Sequence, residues 1–269
     1  MRWGQRFSPG NEAKGRVILN DFVRQVRAKL DVAQKRVGHR IKLGVRVPSL
    51  PQEALANGYD VPTWGREGLV DQVVLSSFFG FANFDIPIEI WRLILGDHVR
   101  LLVHGSGVAT AYPESQITVE HIDHHYATAS SALHRGADGI YLFNECYTES
   151  SNPKQLKTML QNQGSLDTID KVTRRYAVTW PCHRAPGDMQ CTLLPIPLTP
   201  PSIGRDMGRM ENNITLRIHI GRKPAAGSAT LLLAMSPDAA KLDMDNILAR
   251  LNGKPIQLMS NLAMIENSY

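Results

Sequence analysis

The sequence predicts an α/β chain: about four βα units, a partial (β/α)8 TIM barrel, followed by a β-sandwich-like C-terminal segment. Three observations lead there. Helical periodicities alternate with short apolar runs as far as residue 147. Those runs are nearly continuous in Val, Ile and Leu, as expected of strands covered on both faces. Beyond Trp180 the composition turns to proline and to alternating apolar and polar residues.

The first helix is expected over residues 11–37. Val17, Phe22, Val23, Val26, Leu30 and Ala33 recur at three-to-four spacing and form its inner face, and Gly38 stops it. A strand follows over 41–47 and ends at Pro48. Two short helical pieces span 51–57 and 62–68. The second strand is 70–75, then comes a helix over 87–95 and a third strand over 98–104. Thr118 is the expected N-cap of a helix reaching His134, which faces inward through Ile122, Tyr126, Ala129 and Leu133. Gly136-Ala-Asp138 ends that helix, and 139–143 is a buried strand. Helices over 153–163 and 165–174 and a strand over 176–180 complete this part. Residues 214–220 and 229–235 read as strands, and 248–256 as a strand running into an Asn-Gly turn.

A full barrel needs eight strands, eight helices and about 250 residues. Four of each precede the change of pattern. The domain reading is therefore a half-barrel over 1–180 and a β-rich, sandwich-like segment over 181–269.

Charge and composition narrow the partners. The 269 residues carry a net charge of +5, but the basic residues are scattered. Arg24, Arg27, Lys29, Lys35 and Arg36 share one helix, while Lys171, Arg174 and Arg175 lie far along the chain. No basic stripe interleaves with aromatics, so nucleic acid is not an expected partner. No apolar run approaches the roughly 18–20 residues that span a bilayer, so no membrane partner is expected either. The opening Met-Arg-Trp-Gly-Gln-Arg-Phe lacks a signal-peptide core.

Cys146, Cys182 and Cys191 form no CxxC pair. A Cys182–Cys191 disulfide and free thiols both stay open. No GxGxxG or P-loop is present, and Gly105-Ser-Gly107 is too short a glycine signal to indicate a phosphate loop. No cofactor is expected. His121, His124 and His125 form an HxxHH cluster, with His121 and His125 at a metal-compatible spacing. On an outer-ring helix far from the barrel mouth they read as a solvated face rather than a metal site. The Asn213-Ile-Thr215 sequon matters only on a glycosylating route.

Several stretches carry a family resemblance. They are Met1-Arg-Trp3, Ile41-Lys-Leu-Gly-Val-Arg-Val-Pro48, Thr63-Trp-Gly-Arg-Glu-Gly-Leu-Val-Asp71 and Ala132-Leu-His-Arg-Gly-Ala-Asp-Gly-Ile-Tyr-Leu-Phe-Asn144. Together they resemble the bacterial glycoside-hydrolase-like TIM-barrel proteins, in which a barrel precedes a β-sandwich. The resemblance covers most of residues 1–180. It implies hydrolysis of O-glycosidic bonds by acid/base carboxylates on a carbohydrate substrate. The alternative is a non-catalytic carbohydrate-binding or scaffold remnant of the same fold. It also implies that Met1-Arg-Trp3 ends the fourth barrel strand, with the first half-barrel upstream. Such a half would dimerise, pair with the missing N-terminal half, or be poorly soluble alone, because it exposes strand edges.

Barrel sites lie where the strands end. The candidates there are Arg46 and Ser49; Ser76, Ser77 and Phe78; His104, Ser106 and Gly107; and Asn144, Glu145 and Tyr147. Glu145 is the one carboxylate of this set and the expected acid or nucleophile, against a loop residue that pairs with an arginine. His104 is the candidate acid/base, against a structural histidine. Arg46, Ser76, Phe78, Asn144 and Tyr147 would bind substrate; Arg46 could instead form a structural ion pair. Asp85 and Glu114 are secondary candidates from neighbouring loops. Trp64, Phe78, Phe79 and Phe84 offer faces for a sugar ring, or core packing. Members of the group often carry a glutamate near the end of the third strand. This chain has His104-Gly-Ser-Gly107 instead, which departs from the two-carboxylate pattern.

Overall fold

The structure, a computed structural model, describes residues 10–76, 84, 86–105, 108–110, 118–120, 122–143, 153–178, 215–222, 231, 233 and 248–257. In chain order the elements are α1 (Glu12–Val37), β1 (Gly44–Val47), α2 (Pro51–Ala56), α3 (Val61–Arg66), β2 (Gln72–Leu75), α4 (Ile88–Leu95) and β3 (Arg100–His104). They continue with β4 (Val108–Thr110), β5 (Thr118–Glu120), α5 (Ile122–His134), β6 (Gly139–Tyr141), α6 (Pro153–Asn162), α7 (Leu166–Ile169), β7 (Ala249–Leu251) and β8 (Lys254–Ile256).

Four of these strands make one parallel sheet in the order β1-β2-β3-β6. The register runs Arg46↔Val74 and Val74↔Leu102, and His104 lies beside Tyr141. Parallel strands need a crossover between them, and helices provide each one here. The coarse expectation of helices alternating with parallel strands is therefore met.

Alternation along each strand divides the sheet into two faces. Val45, Val47, Val73, Leu75, Leu101, Val103 and Ile140 join the main core with Leu19 and Val23 of α1, Trp64 of α3, Trp91 and Leu95 of α4, and Ala132 of α5. All the helices of this cluster therefore cover one face. Arg46, Val74, Ser76, Leu102, His104 and Tyr141 have the opposite parity. Val74 and Leu102 are buried, yet neither belongs to the helix-side cluster.

Two aspartates pin the amino-terminal end of the sheet. The Asp71 carboxylate accepts from the Leu43 amide at 2.8 Å, from Arg40 at 2.8 Å and from Arg27 at 3.3 Å. Asp138 repeats the device between β3 and β6. Its Oδ2 accepts from the Leu101 amide at 2.7 Å and from Arg92 at 2.6 Å. Each carboxylate satisfies a backbone donor that the ladder leaves over, which fixes where the strands begin.

Several elements differ from the sequence expectation. The buried stripe of α1 is Gly15, Leu19, Asn20, Val23 and Arg27, whereas Val17 and Phe22 are exposed. Polar anchors turn the helix. Arg27 reaches the Ile41 carbonyl, Asp31 and Asp71, and Asn20 accepts from the Trp64 indole at 2.6 Å. The end of α1 is as expected: Gly38 is left-handed at φ 79° and its amide donates to Gln34. Thr118 caps no helix but opens β5, which pairs antiparallel with β4, so α5 starts at Ile122. The helix expected over 165–174 shrinks to the single turn of α7.

In the tail, the Asn-Gly expectation holds. Asn252 (φ 51°) and Gly253 (φ 80°) join β7 to β8 as a two-residue hairpin of the type that needs positive φ at both positions. Residues 215–220 form no strand, and 181–214 and 234–247 lie outside the described residues. Neither a closed (β/α)8 barrel nor a sandwich is seen among the described residues. Among them, too, no helix is long and apolar enough to cross a membrane.

Candidate functional site

The carboxyl-terminal ends of β1, β2, β3 and β6 bring five side chains together on the face away from the helices. Arg46 comes from β1, Ser76 immediately follows β2, His104 closes β3, and Tyr141 and Phe143 come from the end of β6. In open α/β sheets this is the end where ligands bind.

His104 is buried, with its Nδ1 3.1 Å from the Ser76 hydroxyl, which is itself fully buried. Burial is the main reason that its pKa falls from 6.5 to about 4; Arg46 adds positive charge nearby, and His125 does so once protonated. The imidazole is therefore neutral at pH 7. It holds one hydrogen bond with Ser76, donating or accepting according to its tautomer. Tyr141 and Phe143 stand edge-on to it at centroid distances of 6.4 and 6.1 Å.

The Arg46 guanidinium lies over the Phe143 ring, 4.0 Å from the centroid. Its charge gains from the ring face, but its buried Nη1 has no hydrogen-bond partner. Burial lowers the Arg46 pKa, and only Tyr141 and Tyr59 act in the opposite sense. The structural ion pair that was the alternative for Arg46 is not found with any described carboxylate.

Helix α5 passes close to the end of β3, where Thr128 meets Gly105 and His125 approaches His104. Nine consecutive residues, His124 to Ala132, are buried. Gly105 makes this approach possible, because a Cβ there would stand 2.5 Å from Thr128 Cγ2. The solvated histidine face expected on this helix is overturned. His124 and His125 are each only 5% exposed, since α5 is covered on several sides rather than lying on an outer ring. The His124 Nδ1–H donates to the Arg175 carbonyl at 3.0 Å. Burial, together with the charge of His124, lowers the His125 pKa to about 4. Among the described residues no three His, Cys, Asp or Glu side chains gather as a metal set, and His121 lies outside them.

Of the sequence-derived candidates, Arg46, Ser76 and His104 converge. Glu145, Phe78, Asn144 and Tyr147 lie outside the described residues, as do Ser77, Phe79, Asp85, Ser106, Gly107, Glu114 and the three cysteines. Ser49 serves packing, as its carbonyl accepts from the Trp91 indole at 2.7 Å. Trp64 and Phe84 are core residues and not sugar platforms. Trp64 bonds to Asn20, and Phe84 meets Tyr176 edge-on at 5.3 Å.

Sequence reasoning missed Tyr141 and Phe143 and misplaced His125 on a solvated face. The two aromatics share the parity of one strand, but their proximity to His104 and Arg46 depends on cross-strand register. His125 was misread because a helix of mixed polarity resembles a surface helix.

The site gathers one arginine, two neutral histidines, a serine hydroxyl and two aromatic rings, with no carboxylate among the described residues. It can donate hydrogen bonds, stack a ring and attract negative charge. The chain matches no protein-family model and no curated protein.

Proposed function

We propose that the chain is a glycoside-hydrolase-like protein that binds a carbohydrate at the carboxyl ends of its parallel strands, and that residues 1–180 form the second half of a TIM barrel. One observation carries this reading. The strands join the sheet in strict sequence, β1-β2-β3-β6, with the helices of the main core on one face and Arg46, Ser76, His104, Tyr141 and Phe143 at the strand ends of the other. A doubly wound sheet would reverse its order and carry helices on both faces. A singly wound one follows the order of a barrel wall, whose inner mouth holds the site. Hydroxyl, imidazole, guanidinium and aromatic groups are the set that sugars require: donors and acceptors for hydroxyls and flat faces for rings.

Catalysis would rest on Glu145, two residues beyond Phe143 in the chain. His104 is neutral and buried, so its role is to orient a sugar hydroxyl through Ser76 rather than to deliver a proton at pH 7. The test is hydrolysis of aryl-glycosides and polysaccharides by wild type and Glu145→Gln. A loss of about a hundredfold or more, with binding retained, is expected of an acid/base carboxylate. Unchanged turnover would remove Glu145 from the mechanism.

The second reading, a carbohydrate-binding protein without turnover, is favoured by the lack of a carboxylate among the described strand ends. It predicts retarded migration in polysaccharide-containing gels with no released sugar.

A further inference from the structure

We propose that Arg46 forms a subsite for a carboxylate, so that the glycan bound at this site carries uronic acid residues. This rests on the carbohydrate reading above and names the substrate class within it.

Among the described residues the charge of Arg46 is uncompensated. Arg46 cannot shed its proton, and its Nη1 is buried without a hydrogen-bond partner. A buried donor left unmade is costly, and more so when it is charged. Elsewhere in this chain arginines with buried side chains have acids: Arg27 has Asp31 and Asp71, Arg174 has Asp170 and Arg135 has Glu89. Among the described residues Arg46 has an aromatic ring instead. Phe143 covers one face of the guanidinium and cannot accept its N–H hydrogens, which lie in the guanidinium plane.

The described surroundings bring no carboxylate to offset this charge. His104 and His125 stand near enough to influence one another, and Ser76 offers a hydroxyl rather than a carboxylate. No described group opposes the positive potential. A planar carboxylate answers it best, since the guanidinium fork can engage both oxygens in its own plane while Phe143 fixes that plane. A sugar carboxylate brings with it a ring face for the aromatics.

The test is calorimetric binding of oligomers of galacturonate, glucuronate and mannuronate, each beside its methyl ester. Neutral xylo-, cello- and malto-oligosaccharides and a sulfated galactan oligosaccharide complete the set. At least one acidic oligomer is expected to bind about tenfold tighter or more than its ester, and Arg46→Met is expected to abolish that difference. Arg46→Lys keeps the charge but loses the fork, and should retain only part of the preference.

A separate readout is thermal melting. If Arg46 awaits a ligand, Arg46→Met melts no lower than wild type, because it keeps the apolar stem and removes an unpaired charge. A fall in melting temperature would mark Arg46 as structural and overturn the proposal. Neutral glycans bound as well as acidic ones would overturn the subsite while leaving the carbohydrate reading standing. Equal binding of the sulfated galactan would overturn its carboxylate assignment. No binding to any glycan would sink the carbohydrate reading and this one with it.

Discussion

Two histidines illustrate how a residue's surroundings set its chemistry. His104 and His125 each have a pKa near 4 in the folded chain, against 6.5 for a free imidazole, chiefly because burial disfavours the charged ring. Arg46 faces His104 with positive charge, His125 does so once protonated, and His124 acts in the same sense on His125. Below pH 6.5 the unfolded chain takes up protons that the folded chain refuses until about pH 4. Stability is therefore full above pH 6.5 and falls as the pH drops from 6.5 toward 4. The loss is up to about 3 kcal/mol for each ring. Urea unfolding at pH 7.5 and pH 5 should show the midpoint fall at the lower pH, and His125→Gln should flatten the change. Equal midpoints at both pH values would show that these rings are not buried in neutral form.

At the scale of the element, α5 and β3 depend on one glycine. The segment after His104 passes so close to α5 that a methyl group on Gly105 would overlap three atoms of Thr128 at 2.5–2.7 Å. Gly105→Ala should destabilise the fold by about 1–3 kcal/mol, the usual cost of overpacking. Thr128→Ala removes two of the three clashing atoms, so the double variant should recover part of the loss. A thermal-melt double-mutant cycle measures this coupling, and strict additivity would rule out the contact. The same element shows why its histidines were misread. Its sequence mixes Ala, Ser, Thr, His and Tyr, so it carries no strong apolar stripe. What buries nine consecutive residues is the covering chain, including the 173–178 segment whose Arg175 amide donates to the Asp123 carbonyl at 3.0 Å.

For the molecule as a whole, the sheet runs from β1 to β6, and among the described residues neither outer edge meets another strand. Val17, Ile18 and Phe22 on α1 and Leu93 on α4 add exposed apolar surface. Parallel sheets rarely leave edges and large apolar groups in water, because both invite association. Light scattering on the purified chain should therefore report a dimer or larger species. A monodisperse monomer that unfolds cooperatively would count against the half-barrel reading, since a half-barrel requires a partner for its edges.

How much of this was legible in sequence depends on the range of the forces involved. Most strands and helices of residues 12–141 were readable, because apolar periodicity, Gly38 as a cap and the Gly136 stop are local signals; the β4–β5 pair, which depends on contacts between segments, was not. The Asn252-Gly253 hairpin was readable for the same reason: two adjacent residues that tolerate positive φ specify the turn by themselves. Arg46, Ser76 and His104 could be named as strand-end residues from position alone. Their meaning could not be. Whether Arg46 faced the helices or the opposite side depended on which strand parity joined the core. Its pairing with Phe143 and the Ser76–His104 bond depended on strand register, fixed in part by Asp71 and Asp138 from a distance. The turn of α1 toward Leu19 and Arg27, and the burial of His124 and His125, were likewise decided by partners far away in the chain. The sequence by itself determined the alternation of helix and strand and the residues at the strand ends. Only the tertiary structure decided which of those residues meet and which charges stay unpaired, because register and burial arise from contacts between segments that no local pattern encodes.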